Sequence, residues 1–248
     1  MIKLNCDIGE SYGPWRMGQD ESIMPMIDMA NVACGFHAGD TNVMRKTVAL
    51  AARHHVAVGA HPSYQDLPGF GRRSILHSPD EIEALILYQL GALAGICRAE
   101  GLSLSYVKPH GALNNDMMRD MSTLEAVMGA VHTYDPNLPL LLPSTRHHER
   151  HRKLADYVGI PLLLEAFADR AYDDEGQLVS RKLPGSVHQS VEDMVEQALS
   201  FAHHGGVEST SGRWLELPAD SLCVHGDTDD ALAAIRQIRS ALQPQPRA

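Results

Sequence analysis

The sequence predicts an α/β fold, a (β/α) barrel of about seven parallel strands, on three observations. Short apolar or β-branched runs alternate with amphipathic segments along almost the whole chain. Such alternation implies parallel strands joined by right-handed crossovers. Small residues underlie the polar strand ends, as in Asn31, Ala33, Gly35 and then His37, or Ala57, Gly59 and then His61; small side chains suit a crowded barrel interior. Polar, chemistry-bearing residues also end nearly every strand, whereas an open sheet gathers them at one switch point.

Taken in order, the strand-like runs cover 2–8, 29–36, 56–60, 104–107, 139–142, 162–167 and 222–224. Helical segments between them cover about 42–54, 79–99, 122–133, 147–158, 190–204 and 228–242. Asp40 and Thr228 directly precede helices and read as caps. Ser78-Pro79-Asp80-Glu81 places a capping Ser, a first-turn Pro and a reciprocal Glu, and Ser122-Thr123-Leu124-Glu125 repeats the capping-box pattern. The apolar stretch 84–97 is interrupted by Tyr88, Gln89 and Gly91 and falls short of the ~20 residues a membrane span needs, so it reads as a core-facing helix. Three connections are long: 61–74, 171–189 and 205–220. The first two follow strand ends and should overhang the mouth of the barrel, and the third should lie at the other rim. Residues 1–243 are expected to form a single catalytic barrel domain, with 244–248 a frayed tail.

A formal net charge of −10 disfavours a nucleic-acid partner, because phosphate neutralisation needs clustered Lys and Arg. Small molecules and proteins remain as partners, and a homo-oligomer is compatible with this composition. Cys6, Cys34, Cys97 and Cys223 are far apart and contain no CxxC pair, so neither a zinc knuckle nor a redox dithiol is suggested, and the three within strands are expected to pack as reduced thiols. With no basic region and apolar core at the N-terminus, a cytoplasmic address is expected. No GxxxxGK[ST] or strand-to-helix GxGxxG cradle is present, so ATP chemistry would need a partner.

Period-two geometry pairs Asn5 with Asp7, Lys108 with His110, Glu165 with Asp169 across Phe167, and His225 with Asp227. Each pair should project into the barrel or the pocket above it. Any one of these residues could be a cap or a turn residue. Together, a Lys with several imidazoles and carboxylates reads as an active site, because burying a lone charge costs several kcal/mol. Loop 61–73 carries glycines, aromatic cover and the guanidiniums of Arg72 and Arg73, which would suit a lid over an anionic substrate or simply a surface loop. His147 and His151 have the i,i+4 spacing of zinc ligands but sit in a run that reads as a solvated charged face. Cys223 shares the His225 face, two residues deeper.

The segments Asn5-Cys6-Asp7-Ile8-Gly9-Glu10-Ser11, Asn31-Val32-Ala33-Cys34-Gly35-Phe36-His37-Ala38-Gly39-Asp40 and Gly59-Ala60-His61-Pro62-Ser63-Tyr64 closely resemble the LamB/YcsF family. So do Gly69-Phe70-Gly71-Arg72-Arg73, Lys108-Pro109-His110-Gly111-Ala112-Leu113, Glu165 to Tyr172 and Cys223 to Thr228. Asn114 and Thr41 depart from the Tyr and Pro usual in that family, and 143–152 is unusually rich in His and Arg. The resemblance implies a barrel similar to that of glycoside hydrolases and polysaccharide deacetylases. It also implies the A-subunit role in a prokaryotic 5-oxoprolinase, with subunits B and C as partners and ATP as cosubstrate handled with them. No cofactor or metal on this chain is implied. Within that reaction Asp7, assisted by His61 or His110, is expected to do acid/base work, with Lys108 at the developing oxyanion or phosphate. Substrate contacts are expected from Asn5, His37, Arg72, Glu165, Asp169, Arg170, His225 and Asp227. Two alternatives stay open: a metal-dependent deacetylase with Asp7, His61 and His110 as ligands, and a non-catalytic metabolite-binding subunit.

Overall fold

Residues 2–225 and 229–242 are described in the computed structural model. Strands β1 (Lys3–Ile8), β2 (Met29–Ala33), β3 (Ala57–His61), β4 (Leu104–Val107), β5 (Leu140–Pro143) and β6 (Leu162–Phe167) lie side by side in parallel. An antiparallel hairpin of β7 (Gly206–Glu208) and β8 (Trp214–Glu216) follows, and β9 (Ser221–Cys223) then pairs with both β6 and β1 to close a seven-stranded barrel. The helices are α1 (Asp20–Ile23), α2 (Thr41–His54), α3 (Pro79–Ala99), α4 (Gly111–Met117), α5 (Met121–Tyr134), α6 (His148–Val158), α7 (Val191–His204) and α8 (Asp229–Leu242).

Alternation along the strands sorts side chains into two cores. Leu4, Cys6, Ile8, Val107 and Val224 point outward and are buried with the helices. Facing inward, Met29, Tyr106 and Leu141 form a separate apolar plug, and Asn5, Asn31, Glu165 and Ser221 form a buried polar set. Parallel register places Asp7 beside Asn31, Asn31 beside Gly59, Gly59 beside Tyr106, and Glu165 beside Ser221. The absent side chain of Gly59 makes room for the Tyr106 ring, since a Cβ there would overlap it.

Caps set the helix positions. Asp40 accepts hydrogen bonds from Asn42 N and Val43 N at the start of α2, and Ser78 and Glu81 complete a reciprocal capping box on α3. The second capping box is corrected: α5 begins at Met121, and its cap is Asp120, which accepts from Ser122 N and Thr123 N. Strand β2 ends at Ala33, not 36, because Gly35, with φ +90°, turns the chain and frees Phe36 and His37 from pairing. The short α4 carries no side-chain cap and starts at Gly111, with φ +56°, where Ala112 N donates to Gly71 O; neither feature leaves a sequence signal of period 3.6.

The third long connection ends at the far rim, where Lys3 N donates to Asp220 O, but it does not stay there. It forms the β7–β8 hairpin, whose tip reaches the segment after β6: Thr210 N donates to Tyr172 O, and Ser211 Oγ donates to Asp174 at 2.6 Å. The Thr228 cap, Asp227 and the 244–248 tail lie outside the described residues.

Candidate active site

Polar residues inside the barrel are matched donor to acceptor. Tyr106 Oη donates to Asn31 Oδ1 at 2.6 Å, which aims Asn31 Nδ2 at Asn5 Oδ1 and Asp7 Oδ1, both 2.8 Å away. Asn5 Nδ2 in turn donates to Ser221 Oγ at 2.7 Å. Above this layer the Lys108 ammonium, 4% exposed with its residue, lies 3.2 Å from Asp7 Oδ1 and 3.0 Å from Glu165 Oε2. It also sits 3.1 Å from Asn5 Oδ1 and 5.5 Å from the centre of the Phe167 ring.

This crowding decides the charges. Burial opposes the Lys108 cation, but the Asp7 and Glu165 carboxyls around it push its pKa well up. Burial would raise Asp7, yet His61 and Lys108 hold it well below the carboxylate range. For Glu165 burial wins and the carboxyl is pushed up, despite Lys108. One cation thus faces one firmly ionised carboxylate and one carboxyl drawn toward its neutral acid. Burial also pushes the Cys223 thiol well up, although its Sγ is 3.2 Å from Lys108 Nζ, so it is no thiolate nucleophile.

Beside Asp7 three imidazoles pack together. His37 and His110 stack with centroids 3.8 Å apart, and His61 meets His110 edge-on at 4.8 Å. Burial, with His110 and His61 nearby, pushes His37 well down, and burial, with His61 nearby, pushes His110 to about 3, so both rings are neutral. His61 Nε2 lies 3.4 Å from Asp7 Oδ2. The loop after β3 frames the cluster rather than merely covering it. Gly71 passes so close that a Cβ would stand 2.8 Å from His37 Cβ and 2.9 Å from His110 Cδ2. The buried Asp66 carboxylate accepts from Gly69 N and Arg73 Nε, both at 3.0 Å, and fastens this turn. On α3, Gln89 holds Ser63 from both sides, accepting from its N–H and donating to its C=O, each at 2.9 Å.

A cavity of about 350 Å³ opens over these groups. Asp7, His61, Lys108, His110, Glu165 and His225 line it, with Phe70 and Arg72 from the first long connection and Leu178 to Lys182 from the second. Both connections therefore overhang the mouth, as the sequence predicts. Asn5, His37 and Asp169 lie behind this lining. Asp169 is reached through His225, whose Nδ1 is 2.6 Å from its Oδ2. Arg72 lies over the Phe70 ring and borders the cavity, whereas Arg73 is spent on Asp66. Arg170 borders the cavity too, but its guanidinium donates to Val179 O at 2.6 Å and Ser186 O at 3.2 Å, pinning the second connection.

Glu10, Asn31, Asn114, Arg119 and Arg181 also reach or support the site and were not singled out by sequence. Only Asn31 carried a usable signal, the register that sets it beside Asp7. The His147–His151 run is not simply a solvated face. His151 is buried, and both residues line a smaller cavity that shares Asn114 and Arg119 with the main one.

Comparison with known proteins agrees with this architecture. The profile of the LamB/YcsF family matches residues 2–247. The chain is 56% identical over 238 residues to a Chromohalobacter salexigens protein named as the A subunit of 5-oxoprolinase, a match that covers 96% of this chain and 95% of that one. A Vibrio vulnificus protein of the same name is 48% identical over 241 residues, 97% of each chain. A solved structure, the lactam utilization protein from Thermus thermophilus, is similar with a TM-score of 0.90 and 43% identity, covering 97% of this chain and 95% of that one.

Proposed function

Since the chain belongs to the LamB/YcsF family, we propose that it is the A subunit of a multi-subunit 5-oxoprolinase. In this reading it opens 5-oxo-L-proline to L-glutamate by hydrolysis coupled to ATP, with subunits B and C as partners. Residues 1–243 act as one catalytic barrel domain, in a cytoplasmic setting that the four free thiols suit.

The observation that carries the reading is the ionised Asp7–Lys108 pair, 3.2 Å apart at the base of a cavity rimmed by cations. A lactam amide is resonance-stabilised, so its opening needs an activated carbonyl, a nucleophile and a proton for the departing nitrogen. Lys108, charged and held on three sides, is placed to stabilise an oxyanion or a phosphoryl group on the amide oxygen. Asp7, with His61 Nε2 at 3.4 Å, is placed to move protons. Arg72, Arg119, Arg181 and Lys182 border the cavity and suit the substrate carboxylate and phosphate oxygens. The sequence carries no GxxxxGK[ST] or strand-to-helix GxGxxG cradle, and in this reading ATP is handled together with the partner subunits.

Reconstitution tests this directly. ATP-dependent glutamate release should appear when the chain is combined with subunits B and C, and Asp7→Asn should cut the rate by about 10²–10⁴-fold while the protein still melts cooperatively. Full activity of Asp7→Asn would remove Asp7 from the mechanism. If 5-oxoproline binds and turnover survives substitution of both Asp7 and His110, the chain is a binding subunit instead.

A further inference from the structure

Three imidazoles in this site have their protonation pattern dictated by fixed hydrogen-bond partners on their far nitrogens. His61 Nδ1 is 2.6 Å from the Lys108 carbonyl, and His110 Nε2 is 3.0 Å from the Phe70 carbonyl. A carbonyl only accepts, so those two nitrogens carry the hydrogens. Ser63 Oγ donates its single hydrogen to Tyr64 O at 2.9 Å, so it must accept from His37 Nδ1 at 3.0 Å. The remaining nitrogens, His37 Nε2, His61 Nε2 and His110 Nδ1, are then bare lone pairs. They point at one another: His61 Nε2 and His110 Nδ1 are 3.0 Å apart, two acceptors with no hydrogen between them when both rings are neutral. His37 is 1% exposed, and its Nε2 has no hydrogen-bond partner among the described residues.

A carboxylate completes the group. Glu10 Oε1 lies 3.5 Å from His37 Nε2 and 3.9 Å from His110 Nδ1, and the ligand atoms of Glu10, His37, His61 and His110 all fall within 4.8 Å of one another. Tetrahedral zinc with bonds of about 2.0–2.1 Å separates its ligand atoms by about 3.3 Å. The separations here, 3.0, 3.5 and 3.9 Å, bracket that value. Convergent lone pairs, each ring oriented by a hydrogen bond from its far nitrogen, are the usual surroundings of a metal-bound histidine.

We propose that Glu10, His37, His61 and His110 form a binding site for one divalent transition-metal ion of the zinc class. Three imidazoles and one carboxylate suit Zn²⁺ or Co²⁺ over Mg²⁺ or Ca²⁺, which prefer all-oxygen sites. The site differs from an Asp7, His61 and His110 triad: Asp7 faces Lys108 and Asn31 and stays available for proton transfer. The inference rests on donor geometry; with a metal bound, the His61 Nε2 lone pair is no longer free to exchange a proton with Asp7, so its test uses metal binding and not turnover.

The full chain is purified without added metal, stripped with a chelator, and titrated with Co²⁺ and Zn²⁺. About one equivalent should bind, with visible cobalt bands of a four- or five-coordinate site and a rise in melting temperature. Glu10→Gln and His37→Gln should each weaken binding by more than about tenfold, whereas His147→Gln should bind as the wild type. Should His37→Gln fail to fold, Ser63→Ala keeps all four ligands and removes only the hydroxyl that accepts from His37 Nδ1 and donates to Tyr64 O; it should still weaken binding by about 10–100-fold. Absence of cobalt bands at millimolar metal overturns the proposal. So does unchanged affinity in the Glu10 and His37 variants, or a loss of binding confined to Asp7→Asn.

Discussion

Lys108 is the residue whose removal should cost most. Its ammonium is the counter-charge for Asp7 and Glu165, both in contact with it inside the barrel. Lys108→Met leaves those carboxyls without their counter-cation, and breaking a buried pair in this way typically costs about 3–5 kcal/mol. Urea unfolding at neutral pH should show that loss. The deficit should shrink in acid, as the carboxylates become neutral; a deficit that grows in acid would contradict the assignment.

His225 and Asp169 set a second pH dependence. Burial opposes charge on His225, but the Asp169 carboxylate more than compensates and pushes its pKa up. Burial likewise raises Asp169, and His225 more than reverses it, leaving that carboxyl below its ordinary value. The exposed Arg181 pulls the other way, since its Nη2, 3.0 Å from His225 Nε2, needs that nitrogen bare. The closer and better buried carboxylate wins. His225 therefore contributes stability that is fully present below its unfolded value of about 6.5 and lost as pH rises through the raised folded value. Asp169 contributes stability present above its unfolded value of about 3.9 and lost as pH falls through its lowered folded value. Melting temperatures of His225→Gln and wild type should differ most between about pH 4 and 6.5 and converge as pH rises through the raised folded value of His225. A constant gap at every pH would show that the imidazole acts through packing alone.

At the scale of elements, α3 does more than cover the barrel. It is long and apolar enough to cross a membrane by length and composition. One stripe of it, Ile82, Leu85, Ile86, Gln89, Leu90, Leu93 and Cys97, is nevertheless buried, as a core-facing helix requires. Gln89 is the polar member of that stripe, and it clasps the Ser63 backbone beneath His37. Gln89→Leu should leave a buried N–H and C=O without partners and cost about 1–3 kcal/mol in denaturant unfolding. It should also disturb the His37 ring, visible as a shifted imidazole resonance. Wild-type stability and an unmoved resonance would show the clasp to be dispensable.

For the whole molecule, the packing of the barrel interior includes a close fit of Gly59 against Tyr106. A Cβ at Gly59 overlaps the Tyr106 ring, whose hydroxyl orders Asn31 and, through it, Asp7. Gly59→Ala should cost about 1–3 kcal/mol or more from overpacking, measured by thermal unfolding. It should lower activity as well, because the displaced hydroxyl releases Asn31. An active variant of native stability would show that the strands can shift to absorb a methyl group.

Much of this protein is determined by its sequence alone. Alternating apolar runs specify seven barrel strands, because a period of two admits only one buried set of side chains on each face. Capping signals at Asp40 and Ser78 start α2 and α3, since each acts within three residues of its own helix. The same periodicity places Asp7, Lys108, Glu165 and His225 at the mouth. Tertiary structure decided the rest. Glu10 follows Gly9, whose φ of +75° takes the chain out of strand geometry, so no alternation could place it. Arg72 and Arg73 are adjacent in sequence, yet only a loop closed around Asp66 directs one to the cavity and the other away from it. The protonation pattern of His61 depends on a carbonyl 47 residues away, brought near by strand pairing. Polar strand ends thus mark where chemistry can occur, because local periodicity sets direction. Which of them meet, and with which charge, follows from contacts between distant segments that no local pattern encodes.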